Sequence, residues 1–584
     1  MRASAAAAVA ALLGSQAHGA APPALESTGA MVVSAQHLAS DVGISVLRAG
    51  GNAIDAAVAV GYALAVTHPC CGNLGGGGFM VIHLADGRET FLNFREKAPL
   101  AATTDMYLDS KREPIAERSA AGYLAVGVPG TVMGLETARE KYGTLPRARL
   151  LAPAVALAAD GFILGRGDTD VLDGAAREFR AQPNVAAVFL KHGAPFRPGD
   201  RLVQTALAST LRAVSAGGVD AFYRGAVARA VAAASRANGG ILTERDFAAY
   251  TITESAPVRC TYRGYTIVSA PPPSSGGVTL CEMLQILQGY KLSSMGFHSS
   301  VSVHYLTESM RYAYHDRNIY LGDPAFIDNP VARLISPENA AQIRGRIAPD
   351  RATPSASLGA AAAARENPTT THYSVVDAAG NAVSVTFTIN DDFGAKVIAG
   401  DTGFFLNDEM DDFTAKPGAP NMFGLVQGSA NAIAPGKRPL SSMTPTIVTK
   451  DGKPVLVVGT PGGSRIITTV LQVIVNVIDH AMPLQEAVDA PRIHQQWLPD
   501  TLAAEPFALS ADTADALRRM GYALEPLPPW GTGNAVEAIG IAPADAAQAA
   551  ALGFPRPGML YGASDSRAPA GSAAGLDHSD QVEH

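Results

Sequence analysis

The sequence contains little cysteine, few tryptophans and no cluster of basic residues. Four cysteines in 584 residues are too few for a disulfide-rich scaffold. The formal net charge is −8 and no run of Lys or Arg is present, so nucleic acid is not expected as a partner. Only 17% of the residues are charged and 47% are hydrophobic, which indicates a globular protein with several domains or one large α/β unit.

Long apolar segments are also scarce. The run from Ala53 to Val66 is short for a bilayer span and contains Asp55. We interpret it as a buried helix, with Gly50 and Gly51 closing the helix before it. No membrane span is therefore expected in the mature protein.

The N-terminus has the features of a leader. One early arginine precedes an apolar run from Ala5 to Leu13, and Ala17 and Gly19 fit the small-x-small cleavage pattern of a secretory signal. This predicts a signal peptide at residues 1–19 and a periplasmic or secreted protein. The alternative interpretation is a disordered, alanine-rich leader.

The cysteines leave one question open. Cys70 and Cys71 are neighbours and form no CxxC pair, which argues against a zinc site. Cys260 and Cys281 could form a disulfide in an oxidising compartment, or could be buried free thiols.

The order of patterns along the chain predicts an α+β fold with helices covering sheets. Apolar residues at helical spacing dominate the first part, after the glycine-rich turn and strand of "CGNLGGGGFMVIHL". Further on, two hairpins are predicted, "HYSVVD" with "AVSVTFTIN", and "PTIVTK" with "KPVLVVGT" around Asp451-Gly452. "RIITTVLQVIVNVIDHAM" then reads as a helix.

Three consecutive threonines stand before the first hairpin, in "NPTTTHYSVVD". Threonine is common at the start of strands, and packing alone could explain them. The chemical alternative is that the chain is cut before one of them. The freed α-amino group, with a pKa of about 7.7–8.0, could then activate the hydroxyl of the same residue as a nucleophile. The preceding "SASLGAAAAAREN" is small and polar enough to leave after such a cut.

Several long motifs resemble one family. "TTHYSVVD", "GNAVSVTFTIN", "DEMDDF", "KRPLSSMTPTIV" and "GTPGGSRIITTVLQ" are similar to the γ-glutamyltransferases, also called γ-glutamyltranspeptidases or glutathione hydrolases. The similarity continues N-terminally through "GGNAIDAAVA", "GNLGGGGFM" and "NFREKAP". It covers nearly all of the chain after the leader.

The resemblance implies an N-terminal nucleophile hydrolase, an αββα sandwich whose precursor cuts itself into two subunits. On this chain it implies Thr370 as the nucleophile and scission between Thr369 and Thr370. Residues 20–369 would form the large subunit and residues 370–584 the small one. A cut one residue earlier would also free a threonine. We prefer Thr370 because its hydroxyl must keep a fixed strand register relative to the other groups.

Two more residues of the same hairpin are implied in the site. Thr388 matches a family threonine that forms a hydrogen bond to the nucleophile, although a β-branched residue in a strand needs no such role. Asn390 matches an asparagine that contacts the substrate.

The resemblance also implies recognition of an amino acid group. Glu409 and Asp412, as carboxylates three residues apart, could be an acid–base pair, a cation site or a solvated turn. The resemblance favours binding of the substrate's α-ammonium by Asp412, with Glu409 assisting. Arg95 would hold the α-carboxylate with its planar fork, helped by the hydroxyls of Ser441 and Ser442. Without the resemblance, Arg95 reads as a surface salt-bridge residue.

The "GTPGGS" turn lies between a predicted strand and helix. It lacks the spacing of nucleotide-binding loops, so phosphate binding is poorly supported. The resemblance implies that the Gly462 and Gly463 amides form an oxyanion hole, where the absence of Cβ lets the backbone approach the substrate. The tetraglycine at residues 75–78 is expected to be a structural turn beside the site.

The implied reaction needs neither a metal nor an organic cofactor. Thr370 would take the γ-glutamyl group from glutathione or another γ-glutamyl compound, forming an ester. The ester would pass to water or to the amine of an amino acid or dipeptide acceptor.

The chain departs from the family pattern in two places. The segment from Ala415 to Ser442 resembles a lid loop, but Phe423 stands where relatives often have tyrosine, so the lid latch is expected to be weaker. Asp391 and Asp392 stand where relatives often have neutral residues. The one effect that we expect from these two charges is discrimination against acidic acceptors.

Two alternatives remain. A relative of the same fold removes side chains such as glutaryl from cephalosporins, and the lid-like segment argues against it. An exported, non-catalytic binding protein for γ-glutamyl peptides, which never matures, is the alternative from another class.

Overall fold

A computed structural model of the chain describes residues 21–359, 370–528 and 534–580. The predicted signal peptide at 1–19 and Thr369 lie outside the described residues. No helix within the described ranges is long and apolar enough to cross a membrane.

The strands of the described chain are short and spread along its whole length. They are β1 Leu25–Ser27, β2 Ala30–Ser34, β3 Gly77–His83, β4 Glu89–Asn93, β5 Phe162–Ile163, β6 Arg201–Leu202, β7 Thr253–Ser255, β8 Val258–Tyr262, β9 Tyr265–Ser269, β10 Thr371–Val376, β11 Ala382–Thr388, β12 Thr446–Lys450, β13 Lys453–Gly459, β14 Ile493–His494, β15 Leu502–Ala504, β16 Leu524–Pro526, β17 Glu537–Ile541, β18 Leu560–Ser564 and β19 Ser572–Leu576.

The helices are concentrated before residue 345. They are α1 His37–Arg48, α2 Ala53–Thr67, α3 Ala116–Ala120, α4 Thr131–Tyr142, α5 Arg147–Asp160, α6 Arg166–Gly174, α7 Ala176–Arg180, α8 Pro183–Phe189, α9 Thr205–Tyr223, α10 Ala226–Ala237, α11 Glu244–Ala248, α12 Gly276–Leu287, α13 Leu292–Met295, α14 Ser300–Tyr320, α15 Val331–Leu334, α16 Pro337–Arg344, α17 Arg465–Ile478, α18 Leu484–Asp489, α19 Ala511–Arg519 and α20 Ala546–Ala551.

Two seven-stranded sheets form the centre of the molecule. The first has the order β1-β18-β17-β13-β12-β9-β8, and the second has the order β19-β2-β10-β11-β3-β4-β7. Neighbouring strands in both sheets are antiparallel. Each sheet takes strands from both sides of residue 370.

The sheets face each other and a helical layer covers each outer face, which gives the predicted αββα sandwich. The apolar part of the inter-sheet core includes Met31, Val33, Phe79, Val81, Phe91, Val268, Ile447, Val457 and Ile539. Helices α1, α2, α4, α5 and α9 pack on the second sheet in one large cluster. Helices α12, α14, α17 and α18 pack on the first sheet in another. Helix α2 is buried along its whole length, as the sequence predicts.

The two predicted hairpins are confirmed. Strands β10 and β11 pair with Thr371 opposite Phe387 and Val376 opposite Ala382. Strands β12 and β13 pair around Asp451 and Gly452, both of which have positive φ, as the tight turn requires. The predicted helix after "PGGS" is α17.

All four cysteines are in disulfides. Cys260 in β8 is bonded to Cys281 in α12, which settles the alternative left open by the sequence. The neighbours Cys70 and Cys71 are bonded to each other at the end of the turn after α2. Nothing in the sequence predicts this second pair.

Candidate active site

Thr370 immediately precedes the central strand β10, and the strand register fixes its neighbour. Because Thr371 pairs with Phe387 in an antiparallel ladder, the next position on each strand brings Thr370 opposite Thr388. The Thr370 hydroxyl donates to the Thr388 hydroxyl over 3.4 Å. Thr370 is buried, as is Thr388. The structure thus contains the Thr370–Thr388 contact that the resemblance implies, and the choice of Thr370 over Thr369 as the nucleophile stays a prediction.

Alternation along β10 separates the two described threonines. Thr370 and Ser374 lie on the same face of the strand, because alternate residues share a face. The Ser374 hydroxyl donates to the Glu537 carbonyl of the opposite sheet, so this face is turned towards the space between the sheets. Thr371 lies on the other face, together with Tyr373, which packs against the helices that cover the sheet. Only Thr370 therefore points towards the loop that follows β13 in the opposite sheet.

His372 has a structural role despite its place in the Thr-Thr-His motif. Its Nδ1 lies 2.8 Å from the Thr386 hydroxyl and its Nε2 lies 3.1 Å from the Ser374 hydroxyl. Burial lowers the pKa of His372 to about 3, so the ring is neutral at ordinary pH. The ring also fills the space beside Gly459, where a Cβ would lie 2.3 Å from it.

A small cavity connects Thr370 with most of the other predicted residues. Its volume is about 20 Å³, and its lining includes Thr370, Thr388, Asn390, Arg95, Glu409, Asp412, Ser441, Ser442 and Gly463. Of the implied site residues in the described chain, only Gly462 is absent from this lining, and it adjoins Gly463. Residues from five separate stretches of the sequence thus meet at one point.

Arg95 is buried among carboxylates rather than at the surface. Its guanidinium forms salt bridges with Glu409 and Asp412, and its Nη1 lies 3.5 Å from the Glu96 carboxylate. Its Nε donates to the Pro439 carbonyl at 3.2 Å. The surface salt-bridge interpretation of Arg95 is wrong, because the side chain is fully buried and lines the small cavity.

The charges of this cluster do not cancel. Burial raises the pKa of Glu96 to about 7, and it raises the pKa of Glu409 and Asp412 as well, with Arg95 opposing the shift in each case. Burial alone would lower the pKa of Arg95, but the attraction of the three carboxylates outweighs it and raises that pKa. A second cation would be stabilised here, because three carboxylates surround one guanidinium.

Asp412 is the carboxylate that is most open to the cavity. Its side chain is 12% exposed, whereas the side chain of Glu409 is 1% exposed. Asn390 stands beside it with a positive φ, and its side-chain amide donates to the Asp408 carbonyl at 3.1 Å. Both residues line the small cavity.

Ser442 is held by an arginine that the sequence analysis missed. Nη2 of Arg317, in α14, donates to the Ser442 hydroxyl at 2.9 Å, and its Nε donates to the Ser275 hydroxyl at 2.9 Å. Burial lowers the pKa of Arg317 to about 10, which leaves it charged at neutral pH. Ser441 accepts from the backbone N–H of Met443 at 3.1 Å. The one sequence signal for Arg317 is a charged residue on the buried face of a helix.

The loop after β13 brings Gly463 into the lining of the small cavity, with Gly462 next to it. Gly462 and Gly463 have φ values of 131° and 55°, which favour glycine. A Cβ on Gly462 would lie 1.9 Å from the Asn534 side-chain oxygen, and one on Gly463 would lie 2.7 Å from the Phe423 ring. Asn534 is a second neighbour that sequence reasoning missed. The loop leads into α17, whose positive dipole end suits a developing negative charge.

The lid-like segment closes the cavity from one side. Phe423 is 4% exposed and lines the cavity. Its carbonyl accepts from the Gln496 side chain at 3.2 Å, and the N–H of Met422 donates to the Asp411 carboxylate at 3.0 Å. Backbone hydrogen bonds therefore hold the lid here.

The tetraglycine lies beside Thr388, and it is a turn only in its first half: Gly75 and Gly76 precede β3, whereas Gly77 and Gly78 are the first two residues of that strand. Gly77 pairs with Thr388 across the β3–β11 ladder. A Cβ on Gly76 would lie 1.9 Å from the Thr388 carbonyl oxygen, so this close approach requires glycine.

A second, larger cavity lies on the other side of Thr370. Its volume is about 610 Å³, and its lining includes Thr370, His68, Cys70, Cys71, Asp392 and Arg567. The pKa of Asp392 is raised to about 7, mainly because the carboxyl group is buried and secondly because the neighbouring Asp391 is negatively charged. Ligand atoms of His68, Cys70 and Cys71 lie within 4.8 Å of one another, but the disulfide leaves neither sulfur as a thiolate for a metal.

The fold and the site together define a class. Two stacked antiparallel sheets lie between helical layers, and a threonine with a buried hydroxyl stands at the head of a central strand. This is the architecture of the N-terminal nucleophile hydrolases.

Comparison with known proteins gives the family. The family profile described as gamma-glutamyltranspeptidase matches residues 39–575. A glutathione hydrolase proenzyme of Pseudomonas sp. (strain A14) is 56% identical over 566 residues, which cover 96% of each chain. The glutathione hydrolase proenzyme of Escherichia coli (strain K12) is 47% identical, over 92% of this chain and 90% of its own.

A solved structure supports the architecture. The cephalosporin acylase of Bacillus halodurans superposes with a TM-score of 0.82 at 26% identity, and covers 96% of this chain and 98% of its own. The chain belongs to the γ-glutamyltranspeptidase family of enzymes.

Proposed function

We propose that this enzyme is a γ-glutamyltransferase and glutathione hydrolase that matures by cutting its own chain between Thr369 and Thr370. The observation that carries the proposal is the small cavity. It is lined by Thr370, by Gly463 with its positive φ and by a buried arginine–carboxylate cluster, and Gly462 adjoins Gly463. The names of the most similar relatives, glutathione hydrolase proenzymes, support the same activity.

Scission would create the base that the nucleophile needs. The freed α-amino group of Thr370 has a pKa of about 7.7–8.0 and takes the hydroxyl proton at ordinary pH. Thr388 holds the hydroxyl in position. Thr370 Oγ then attacks the γ-amide carbon, and the amides of Gly462 and Gly463 stabilise the tetrahedral oxygen.

The rest of the small cavity recognises the glutamyl end of the donor. Asp412 and Asn390 contact the α-ammonium, which supplies the second positive charge that the carboxylate cluster stabilises. The α-carboxylate takes donors from Arg95, Ser441 and Ser442. Water or an acceptor amine then cleaves the ester from the side of the large cavity.

The likeness to the cephalosporin acylase favours the alternative that this enzyme removes glutaryl groups. The charge of the carboxylate cluster argues against that alternative. A glutaryl group has the terminal carboxylate but no α-ammonium. It would bury Asp412 and Glu409 without the compensating charge, which is costly. We therefore expect turnover of a γ-glutamyl anilide to exceed that of a glutaryl-cephalosporin.

Thr370→Ala tests the proposal together with a matched neighbour. The variant should run as one full-length band on a denaturing gel and lose at least about a thousandfold in turnover. Thr371→Val is the control, because its buried hydroxyl makes no hydrogen bond within the described chain. This control should give two bands and near-normal activity.

Intact mass and N-terminal sequencing of the purified protein test the maturation step. The smaller fragment should begin at Thr370, and the larger one should begin at residue 20 if the leader is a signal peptide. Export to the periplasm or beyond is part of this proposal. A single full-length chain without glutamate release would instead support the non-catalytic binding protein.

A further inference from the structure

The Cys70–Cys71 disulfide lies in the wall of the cavity into which the reaction would release its amine product. Thr370 lines both cavities, and the small one holds the residues that are proposed to bind the glutamyl end. The departing part of the donor must therefore leave towards the large cavity. When the donor is glutathione, that part is cysteinylglycine, which carries a thiol.

We infer that Cys70 and Cys71 form a thiol-exchange site that reacts with the thiol product released at Thr370. The inference rests on the proposed function for the delivery of the thiol. The large cavity would bring the product thiol to the disulfide, because Thr370, Cys70 and Cys71 all line it.

The surroundings of the two sulfurs differ and predict which one is attacked. Cys70 Sγ lies 3.3 Å from His68 Nε2, where an imidazole N–H can donate to a thiolate. Cys71 Sγ lies 3.6 Å from the Asp392 carboxylate, where a second negative charge would be repelled. Cys70 is therefore the better leaving group, and the incoming thiol should bond to Cys71.

The exchange balances without a further reagent. The product thiolate attacks Cys71 Sγ, a mixed disulfide forms, and the Cys70–Cys71 bond breaks with its electron pair on Cys70, which takes the proton that the thiol lost. A second thiol then attacks the product's sulfur and releases Cys71 as a thiol. Two product thiols are oxidised to their disulfide, and the protein disulfide is reduced to two thiols.

The chain provides an internal control. Cys260 and Cys281 form a second disulfide, buried between β8 and α12, and neither residue lines the cavity of Thr370. A reductant that acts on the protein in general would open both disulfides, whether or not they line the cavity. Exchange at the proposed site would act on Cys70–Cys71 alone.

The experiment treats processed enzyme with glutathione, with S-methylglutathione or with free cysteinylglycine. Glutamate release is followed, and each disulfide is quantified by peptide mass mapping after acid quenching. Glutathione and cysteinylglycine should open Cys70–Cys71 at least about tenfold faster than Cys260–Cys281. The trapped adduct should be cysteinylglycine on Cys71. S-methylglutathione should release glutamate and leave both bridges intact.

Two results would overturn the inference. One is a Cys70–Cys71 bridge that stays closed while free cysteinylglycine is present. The other is opening of both bridges at the same rate. Absence of glutamate release from both donors would count against the proposed function alone, because the free thiol still tests the exchange. A Cys70→Ser/Cys71→Ser double variant should release glutamate but take up no thiol.

Discussion

At the scale of single residues, the site is dominated by three carboxyl groups that share one guanidinium. Glu96, Glu409 and Asp412 share the guanidinium of Arg95 in a buried space. Each carboxyl pKa is raised, that of Glu96 to about 7. A proton and the substrate's ammonium therefore compete for the same group of oxygens.

This competition predicts the pH dependence of donor binding. Only ionised carboxylates attract the ammonium. Burial raises the pKa of all three carboxyl groups, that of Glu96 to about 7, so they take up protons at a higher pH than ordinary carboxyl groups do. The KM for the donor should rise roughly tenfold between about pH 8 and pH 6, while the donor's own ammonium stays charged. Steady-state kinetics across this range measure the effect.

Variants identify the source of the pH effect. Glu96→Gln removes one of the competing carboxylates, so the rise in KM at low pH should become shallower. Glu254→Gln, which alters an exposed carboxylate paired with Lys141, should leave the profile unchanged. Identical profiles for the wild type and Glu96→Gln would argue against this assignment.

At the scale of elements, the lid-like segment at residues 415–442 closes the small cavity through Phe423. The lid is held by the backbone of Phe423 and Met422 and by packing of the Phe423 ring against Gly463. The ring itself can make no hydrogen bond, whereas a tyrosine hydroxyl could.

Two substitutions at Phe423 separate packing from latching. Phe423→Ala removes the wall of the small cavity and should raise the donor KM about tenfold, equivalent to about 1.4 kcal/mol of binding. Phe423→Tyr keeps the packing and should lower the KM severalfold through an added hydrogen bond. Equal KM values for wild type and Phe423→Tyr would remove the support for a weakened latch.

At the scale of the whole molecule, the proposed cut does not divide the structure into two bodies. In the first sheet, β1, β8 and β9 precede residue 370, and β12, β13, β17 and β18 follow it. In the second sheet, β10, β11 and β19 follow residue 370, and the other four strands precede it. Hydrogen-bonded ladders therefore cross between the two segments in both sheets.

This interleaving predicts how the mature protein behaves. The two fragments should co-elute in gel filtration under native conditions and should separate only in a denaturant that unfolds both together. Unfolding followed by circular dichroism should show one cooperative transition for the fragments. Recovery of either fragment alone, folded, from a native column would contradict the prediction.

Much of the fold followed from local patterns. Alternation and turn residues predicted both hairpins, and the buried helix α2 followed from its unbroken apolar run. These elements are determined by contacts between residues close in the sequence, so sequence reasoning reaches them. The α+β class and the sandwich followed from those elements and from the family resemblance.

The site was predictable only where a motif marked it. Arg95 alone reads as a surface residue, and the resemblance was needed to place it in the site. Arg317 and Asn534 carried no motif and were missed, since their roles come from contacts with Ser442 and Gly462 far along the chain. The Cys70–Cys71 bond was missed too, because adjacency in sequence does not say whether two sulfurs are bonded.

The sequence by itself determined the alternation that turns Thr370 to one face of β10 and Thr371 to the other, because the strand period is a local property of the backbone. It also determined the glycines that permit the close approaches. Only the tertiary structure decided that Arg95 is buried beside three carboxylates and that the disulfide shares a cavity with Thr370. Those features arise from long-range packing, where burial sets the charge states and brings distant segments into contact.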